Sequence, residues 1–261
     1  MVVDERLREE EKTPVTNLLW MTLPYIAFTS FVLGHIWRYR TDQFGWTTRS
    51  SQIYESRLLR LGSPLFHFGI LGVLGGHVVG LLIPESWTSA IGISEHTYHL
   101  LAIGMGAPAG FAVIAGAAIL LYRRTTVPAV RAATTVSDKL MYLLLVGALV
   151  TGMVNTLGNV VSAYNYRETV SPWLRSLFTP HPTPELMSTA PLSFQVHVLI
   201  VLTLFGIWPY TRLVHMFSAP IGYLVRPYVV YRSRDPQRAS NGRYAKAWVT
   251  PQAPPPRSRW V

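Results

Sequence analysis

The sequence predicts an all-α integral membrane protein with five transmembrane helices, its N-terminus outside and its C-terminus in the cytoplasm. Three observations predict it. Of 261 residues, 49% are hydrophobic and only 14% charged, and the mean hydropathy is +0.26, a balance foreign to soluble domains. Five apolar stretches, 18–38, 62–83, 100–122, 140–160 and 192–216, reach the length of about 20 residues that a hydrocarbon core requires. Lys and Arg also alternate from loop to loop. Segments 39–61, 123–139 and 217–261 hold four, four and eight, against three in 1–17, none in 84–99 and two in 161–191. By the positive-inside rule the richer set is cytoplasmic, and the chain sits in the plasma membrane.

Residues 1–17 form a charged extension (DERLREEEK), and the next run lacks a small-residue cleavage site, so the first helix is expected to be retained. That helix, LLWMTLPYIAFTSFVLGHIWRY, ends in Trp37, Arg38 and Tyr39, an expected interfacial anchor. In the third helix Gly104, Pro108, Ala112 and Gly116 recur every four residues, a spacing that predicts a close-packing face. The fourth helix carries Asn155 and Asn159 one turn apart, expected as hydrogen-bonding groups between helices or facing water. Prolines 172, 180, 182, 184 and 191 give segment 161–191 the character of an ordered but irregular surface loop, with His181 exposed. The tail 235–261, basic and proline-rich, is expected to be extended and partner-bound or disordered. No internal repeat is visible. The net charge of +10 resides mostly in the cytoplasmic loops and tail, where anionic lipid and partner surfaces supply the counter-charge. Nucleic acid binding is therefore not expected.

Four histidines stand out in segments that carry almost no other ionisable group. LGSPLFHFGILGVLGGHVVGLLIP holds His67 and His77, and PLSFQVHVLIVLTLFGIWPYTRLVHMFSAP holds His197 and His215. An intramembrane histidine is costly and requires a partner, a proton path or a metal. The second and fifth helices cross in opposite senses, so matching by depth pairs His77 with His197 near the outside and His67 with His215 near the cytoplasm. Absence of cysteine excludes iron–sulfur ligation, thioether-attached haem, disulfides and thiolate nucleophiles. Zinc wants four clustered ligands, whereas these histidines fall into pairs with no intramembrane carboxylate beside them. Two haems, each held non-covalently between two imidazoles, fit best.

One discomfort accompanies this pairing: ten residues on the second helix, about 15 Å, must answer eighteen on the fifth, about 27 Å. A tilt, or a kink at Pro209, would absorb the difference. Gly69, Gly72, Gly75, Gly76 and Gly80 surround the first two histidines. They suit either a flat ligand or close helix packing. His35, near the cytoplasmic end of the first helix, is expected at the interface. Glu95, His96, Tyr98 and His99 make the one dense proton-exchanging cluster on the outer side.

These motifs resemble the gamma subunit of respiratory nitrate reductase, a di-haem cytochrome b anchor. LFHFGILGVLGGH resembles that family's second helix, VHVLIVLTLFGIWPYTRLVH its fifth, LPYIAFTSFVLGHIWRYRTDQFGWTTRSSQ its first helix and following loop, and VRAATTVSDKLMYLLL its entry into the fourth. The likeness covers 18–234 as one di-haem cytochrome b domain. It implies His77 and His197 as ligands of an outer haem b and His67 and His215 as ligands of an inner one. It further implies oxidation of a quinol (menaquinol or ubiquinol) beside the outer haem, with Gly76 leaving room for the ring and Glu95, His96, Tyr98 and His99 as candidate site residues. The family's lysine at the start of the third helix is absent here, where Thr97 and Tyr98 stand between two histidines. Electrons would leave to an iron–sulfur beta subunit and a molybdenum alpha subunit that carries the nitrate site, both cytoplasmic. Arg38, Arg49, Arg123, Arg131 and Arg212 are candidates for the inner haem's propionates or for partner contact. Two other readings stay open: an equivalent anchor of a sulfur-compound or heterodisulfide oxidoreductase, and a transporter whose histidines relay protons.

Overall fold

A computed structural model of the chain describes residues 14–47, 50–162, 164–218 and 225. The chain divides into two units, Met1–Ala219 and Pro220–Val261, and the membrane-spanning helices all belong to the first. Most of the charged extension, Arg49 and the tail 235–261 lie outside the described residues. Five helices are long and apolar enough to cross a membrane: α1 (Pro14–Thr41), α2 (Arg57–Leu82), α3 (Glu95–Thr126), α4 (Val136–Ser162) and α5 (Leu192–Tyr210). The chain is a multi-pass integral membrane protein. The helices pack in the order α1, α5, α4, α3, α2, and among the described residues no extended backbone contact joins α2 to α5. The bundle is therefore open between the two helices that carry the histidine pairs.

Glycine decides which helices touch. A Cβ on Gly69 would lie 2.5 Å from the backbone nitrogen of Val113, and one on Gly116 would run into the backbone of Phe66. At these points α2 and α3 approach backbone to backbone, as missing side chains allow. Gly72 faces the side chain of Ala109, whose Cβ would lie 3.0 Å from an added Cβ. Gly104 does not belong to this face, contrary to its spacing, because a Cβ there would meet nothing within 4 Å. The periodicity identified the right helix, but its first small residue is not part of the close-packed face.

The fifth span also departs from expectation. Regular α-helix ends at Ile207, a 3₁₀ turn covers Trp208–Tyr210, Thr211 is extended, and a second 3₁₀ segment runs Arg212–Ser218. Proline at 209 cannot donate to the helix ladder and its ring crowds the preceding turn, so the continuous helix 192–216 is not formed. The carbonyls freed by the break are met from outside. Ser30 donates to Gly206 O at 2.7 Å, and Ser137 to Tyr210 O at 3.0 Å. Arg38 donates to Pro209 O at 2.6 Å, to Thr211 O at 2.9 Å and to Gly45 O at 2.7 Å. Arg38 is 6% exposed while Trp37 and Tyr39 are 56% and 62% exposed, so of the expected interfacial anchor only the two rings face outward. Gly34 lets α1 reach the break, since a Cβ there would stand 2.7 Å from the Pro209 ring.

Asp138 fixes the segment beyond the break. It closes a capping box at the start of α4: Thr135 N donates to its carboxylate at 3.0 Å, and its own N donates to Thr135 Oγ1 at 3.2 Å. The same carboxylate takes a two-pronged bond from Arg212, at 2.7 and 2.6 Å, with Arg124 at 3.8 Å.

The largest buried cluster lies at the other end of the bundle, where a surface loop was expected. Trp173, Met187, Leu177 and Val170 of segment 164–190 pack on Trp20 of α1. Both α1 and α2 contain a π turn there, Leu18–Thr22 and Val78–Leu82, in which the regular ladder is interrupted. The short helix Val170–Ser176 supplies bonds to both: Trp173 Nε1 to Trp20 O at 2.8 Å, Ser171 to Gly80 O at 2.9 Å, and Arg175 to Leu81 O at 2.9 Å. His181 is exposed, as expected.

Three measurements test this account. Gly69→Ala or Gly116→Ala forces α2 from α3 and is expected to lower stability by about 1–3 kcal/mol in detergent unfolding; an unchanged midpoint would refute the backbone contact. Asp138→Asn leaves Arg212 without its carboxylate and is expected to cost about 3–5 kcal/mol, the range for breaking one side of a buried pair. Glu55 gives a pH test. Partial burial opposes its ionisation, but the Leu58 amide at 2.7 Å and Arg123 at 2.6 Å more than offset this and hold its pKa below the ordinary value. A depressed folded pKa means the contribution is present above the unfolded value and lost as pH falls. The stability gap between the native chain and Glu55→Gln should therefore close below about pH 4.3, and a gap that persists in acid would contradict the assignment.

Candidate functional site

The structure brings together His77 with His197 and His67 with His215. Ring centroids are 6.3 Å apart in the first pair, at an interplanar angle of 34°, and 6.2 Å apart in the second, at 68°. The break in α5 makes this possible. From His197 to Ile207, where the helix stops, is ten residues, the same separation as His67 to His77, and each covers about 15 Å. The remaining eight residues turn the chain back so that His215 comes level with His67. The eighteen-residue spacing is thus not a helical length.

Each imidazole is bonded through Nδ1. In His67 it donates to Ser63 O at 2.8 Å, with Ser63 Oγ at 3.2 Å; in His77 to Val73 O at 2.8 Å; in His215 to Arg212 O at 2.6 Å. A carbonyl can only accept, so Nδ1 carries the hydrogen and Nε2 keeps its lone pair. His197 Nδ1 meets Thr151 Oγ1 at 2.9 Å, and that hydroxyl lies 2.7 Å from Gly147 O. The hydroxyl donates to the carbonyl and accepts from the ring, which gives the same tautomer. Four imidazoles with Nε2 free and Nδ1–H engaged form the donor set that metal-bound histidine presents.

The space also fits a flat group. His67 and His77 are exposed within the apolar bundle, and a Cβ on Gly75 or Gly76 would meet nothing within 4 Å. The glycines of α2 therefore divide by function: Gly69 and Gly72 pack, whereas Gly75 and Gly76 border open space. Two metal–nitrogen bonds of about 2.0 Å, with about 1.1 Å from each nitrogen to its ring centre, give about 6.2 Å between centroids. Both pairs stand at this separation. Among the described residues no three His, Asp or Glu side chains gather into a cluster that would hold a metal ion, so zinc of the tetrahedral kind has no donor set here.

The residues expected for a quinol site separate into two kinds. Glu95 Oε2 is paired with Arg167 at 3.0 Å, and Arg167, only 4% exposed, also lies 3.9 Å over the Tyr98 ring and bonds Thr88. Tyr98 OH bonds Tyr166 OH at 3.0 Å, both crowding Gly80 one turn beyond His77. Burial pushes the Tyr166 hydroxyl far above its usual pKa, and the Tyr98 bond adds to this. His96 is exposed and His99 half-buried. Arg167 and Tyr166 carry no sequence signal, since both lie in the loop that reads as irregular surface.

Of the arginine candidates, three are committed to the protein. Arg38 holds the break, Arg123 bonds Glu55 and Ser51 while 3% exposed, and Arg212 bonds Asp138. Arg131 is exposed, and Arg49 lies outside the described residues. His35 is half-buried among Phe31, Trp46 and Phe217, with Nδ1 on Phe31 O and Nε2 buried without a hydrogen-bond partner. Asn155, 8% exposed, joins α4 to Ser193 O, in keeping with a role between helices.

The family profile described as nitrate reductase gamma subunit matches residues 16–234. The nitrate reductase gamma chain of Bacillus subtilis is 49% identical over 219 residues, 84% of this chain and 98% of that protein. The respiratory nitrate reductase 2 gamma chain of Escherichia coli is 34% identical over 81% of this chain and 94% of its own length. The nitrate reductase-like protein NarX of Mycobacterium tuberculosis is 58% identical over 222 residues, 84% of this chain, and the chain spans about a third of that protein's length. On the matched profile and these identities over four-fifths of its length, the chain belongs to the nitrate reductase gamma subunit family.

Proposed function

We propose that this chain is the quinol-oxidising, electron-transferring membrane subunit of a nitrate reductase, with two haem b groups held by His77 with His197 and His67 with His215. The observation that carries the reading is the pair of imidazole separations, 6.3 and 6.2 Å, each with Nε2 free and Nδ1–H engaged. When bound, the haems supply two one-electron carriers stationed between the two ends of the bundle. The lysine and arginine bias supports an orientation with the His77 end outside and the His67 end, with the C-terminus, in the cytoplasm.

The chain's own groups then have distinct tasks. Gly75 and Gly76 leave room beside His77 for a quinol ring. Quinol oxidation releases two protons as it gives up two electrons. His96 and His99, exposed and half-exposed on the first turn of α3, accept protons on the outer side. Glu95 and Tyr98, held by Arg167 and Tyr166, shape the wall of that site. An iron–sulfur beta subunit and a molybdenum alpha subunit take the electrons at the cytoplasmic end, where nitrate is reduced on the alpha subunit. Proton release outside with electron delivery inside makes turnover electrogenic.

Membranes bearing the full chain are expected to give a pyridine haemochrome spectrum of b type with two haems per chain. His77→Ala is expected to lose one of them and to abolish quinol-dependent haem reduction. Absence of b-type absorption, or two intact haems in His77→Ala, would overturn the assignment.

A further inference from the structure

Three of the four site histidines are held by their own chain segment, His67 by Ser63 O, His77 by Val73 O and His215 by Arg212 O. His197 alone reaches to another helix, placing Nδ1 2.9 Å from Thr151 Oγ1 on α4. Threonine inside a helix commonly donates to the carbonyl one turn back, as Thr151 does to Gly147 O at 2.7 Å. That bond uses the hydroxyl hydrogen and turns the lone pairs outward, where the imidazole N–H meets one. The next residue completes the seat. A Cβ on Gly152 would lie 3.0 Å from His197 Cε1, so glycine there leaves the ring its place. Thr151 is half-buried in an otherwise apolar run, LLLVGALVTGMV, where packing alone does not call for a hydroxyl.

We infer that Thr151, with Gly152 beside it, is the positioning residue for His197: it fixes the tautomer and rotation of that ring and thereby sets the redox potential of the outer haem separately from the inner one. The inference rests on the haem reading above. A bond from Nδ1–H makes an imidazole a stronger donor through Nε2 and so favours the ferric state. At the other three histidines the acceptor is main chain and survives any side-chain replacement. At His197 the Nδ1 partner is the Thr151 hydroxyl, beside the Ala148 carbonyl, and the hydroxyl can be removed.

The test is a potentiometric titration of both haems in native membranes containing the full chain, for the unmutated protein, Thr151→Val, Thr151→Ser and Gly152→Ala. The His77→Ala spectrum identifies which signal is the outer haem. Thr151→Val is expected to raise the outer potential, by about 59 mV if the preference for the ferric state falls tenfold. The inner potential stays in place and Thr151→Ser behaves as the unmutated chain. The low-spin electron paramagnetic resonance signal of the outer haem, which senses the mutual rotation of its two imidazoles, shifts in Thr151→Val and again not in Thr151→Ser. If Thr151→Val does not accumulate, Gly152→Ala decides: a change confined to the outer haem supports the proposal, and no change overturns it. An unshifted Thr151→Val, a common shift of both haems, or a Thr151→Ser that behaves as valine also overturns it. An unmutated chain without two haems would instead remove the haem reading itself.

Discussion

The fold hinges on how the break in α5 is satisfied. In a bilayer, backbone groups freed by a broken helix have no water to turn to, and each one left unpaired costs several kcal/mol. Here Ser30, Arg38 and Ser137 accept that burden, with the Arg38 guanidinium alone bonding Pro209 O, Thr211 O and Gly45 O. Asp138 then anchors the returning segment through Arg212 while capping α4. This set of bonds converts an eighteen-residue separation on α5 into a vertical match for ten residues on α2. Without it His215 would lie more than a turn beyond His67.

The apolar interior of this chain is unusual in its placement. Little of each span is buried within the protein, and the largest buried cluster sits at the end of the bundle, on Trp20 and Trp173. Lipid covers the outer faces of the helices, while Gly75 and Gly76 border open space and, among the described residues, no extended backbone contact joins α2 to α5. The helix Val170–Ser176 clamps α1 and α2 by bonding the carbonyls of their π turns. A bundle that leaves its middle open needs such a clamp, because helix packing there cannot supply the rigidity.

Charge is distributed on the same logic. Arg38, Arg123, Arg167 and Arg212 are buried or nearly so, and each is spent on a carboxylate or a carbonyl of the chain itself. The His77 end meanwhile keeps titratable groups in two tiers. Glu95 and Tyr98 are held by Arg167 and Tyr166, whereas on the same turn His96 is exposed and His99 half-buried.

Much of this was legible in the amino-acid order. Apolar length marks the five spans, because a hydrocarbon core tolerates little else. The isolation of four histidines among apolar residues, together with opposite crossing of two helices, selects the pairs that stand 6.3 and 6.2 Å apart. Other features depend on contacts that no local pattern encodes. The rule that arginine beside aromatic residues marks an interface put Arg38 at the surface, but two carbonyls from a distant break, with Gly45 O nearby in sequence, draw it inside. Proline content made 161–191 read as surface, although Trp173 finds its pocket against Trp20, 153 positions earlier. Gly69 and Gly75 are the same residue on the same helix, yet only the proximity of α3 makes one a contact and the other a space. Thr151 was silent for the same reason: its partner is forty-six residues away. The sequence alone determined which helices exist and which residues are too costly to be idle. The tertiary structure decided what each of them faces, because that depends on long-range neighbours.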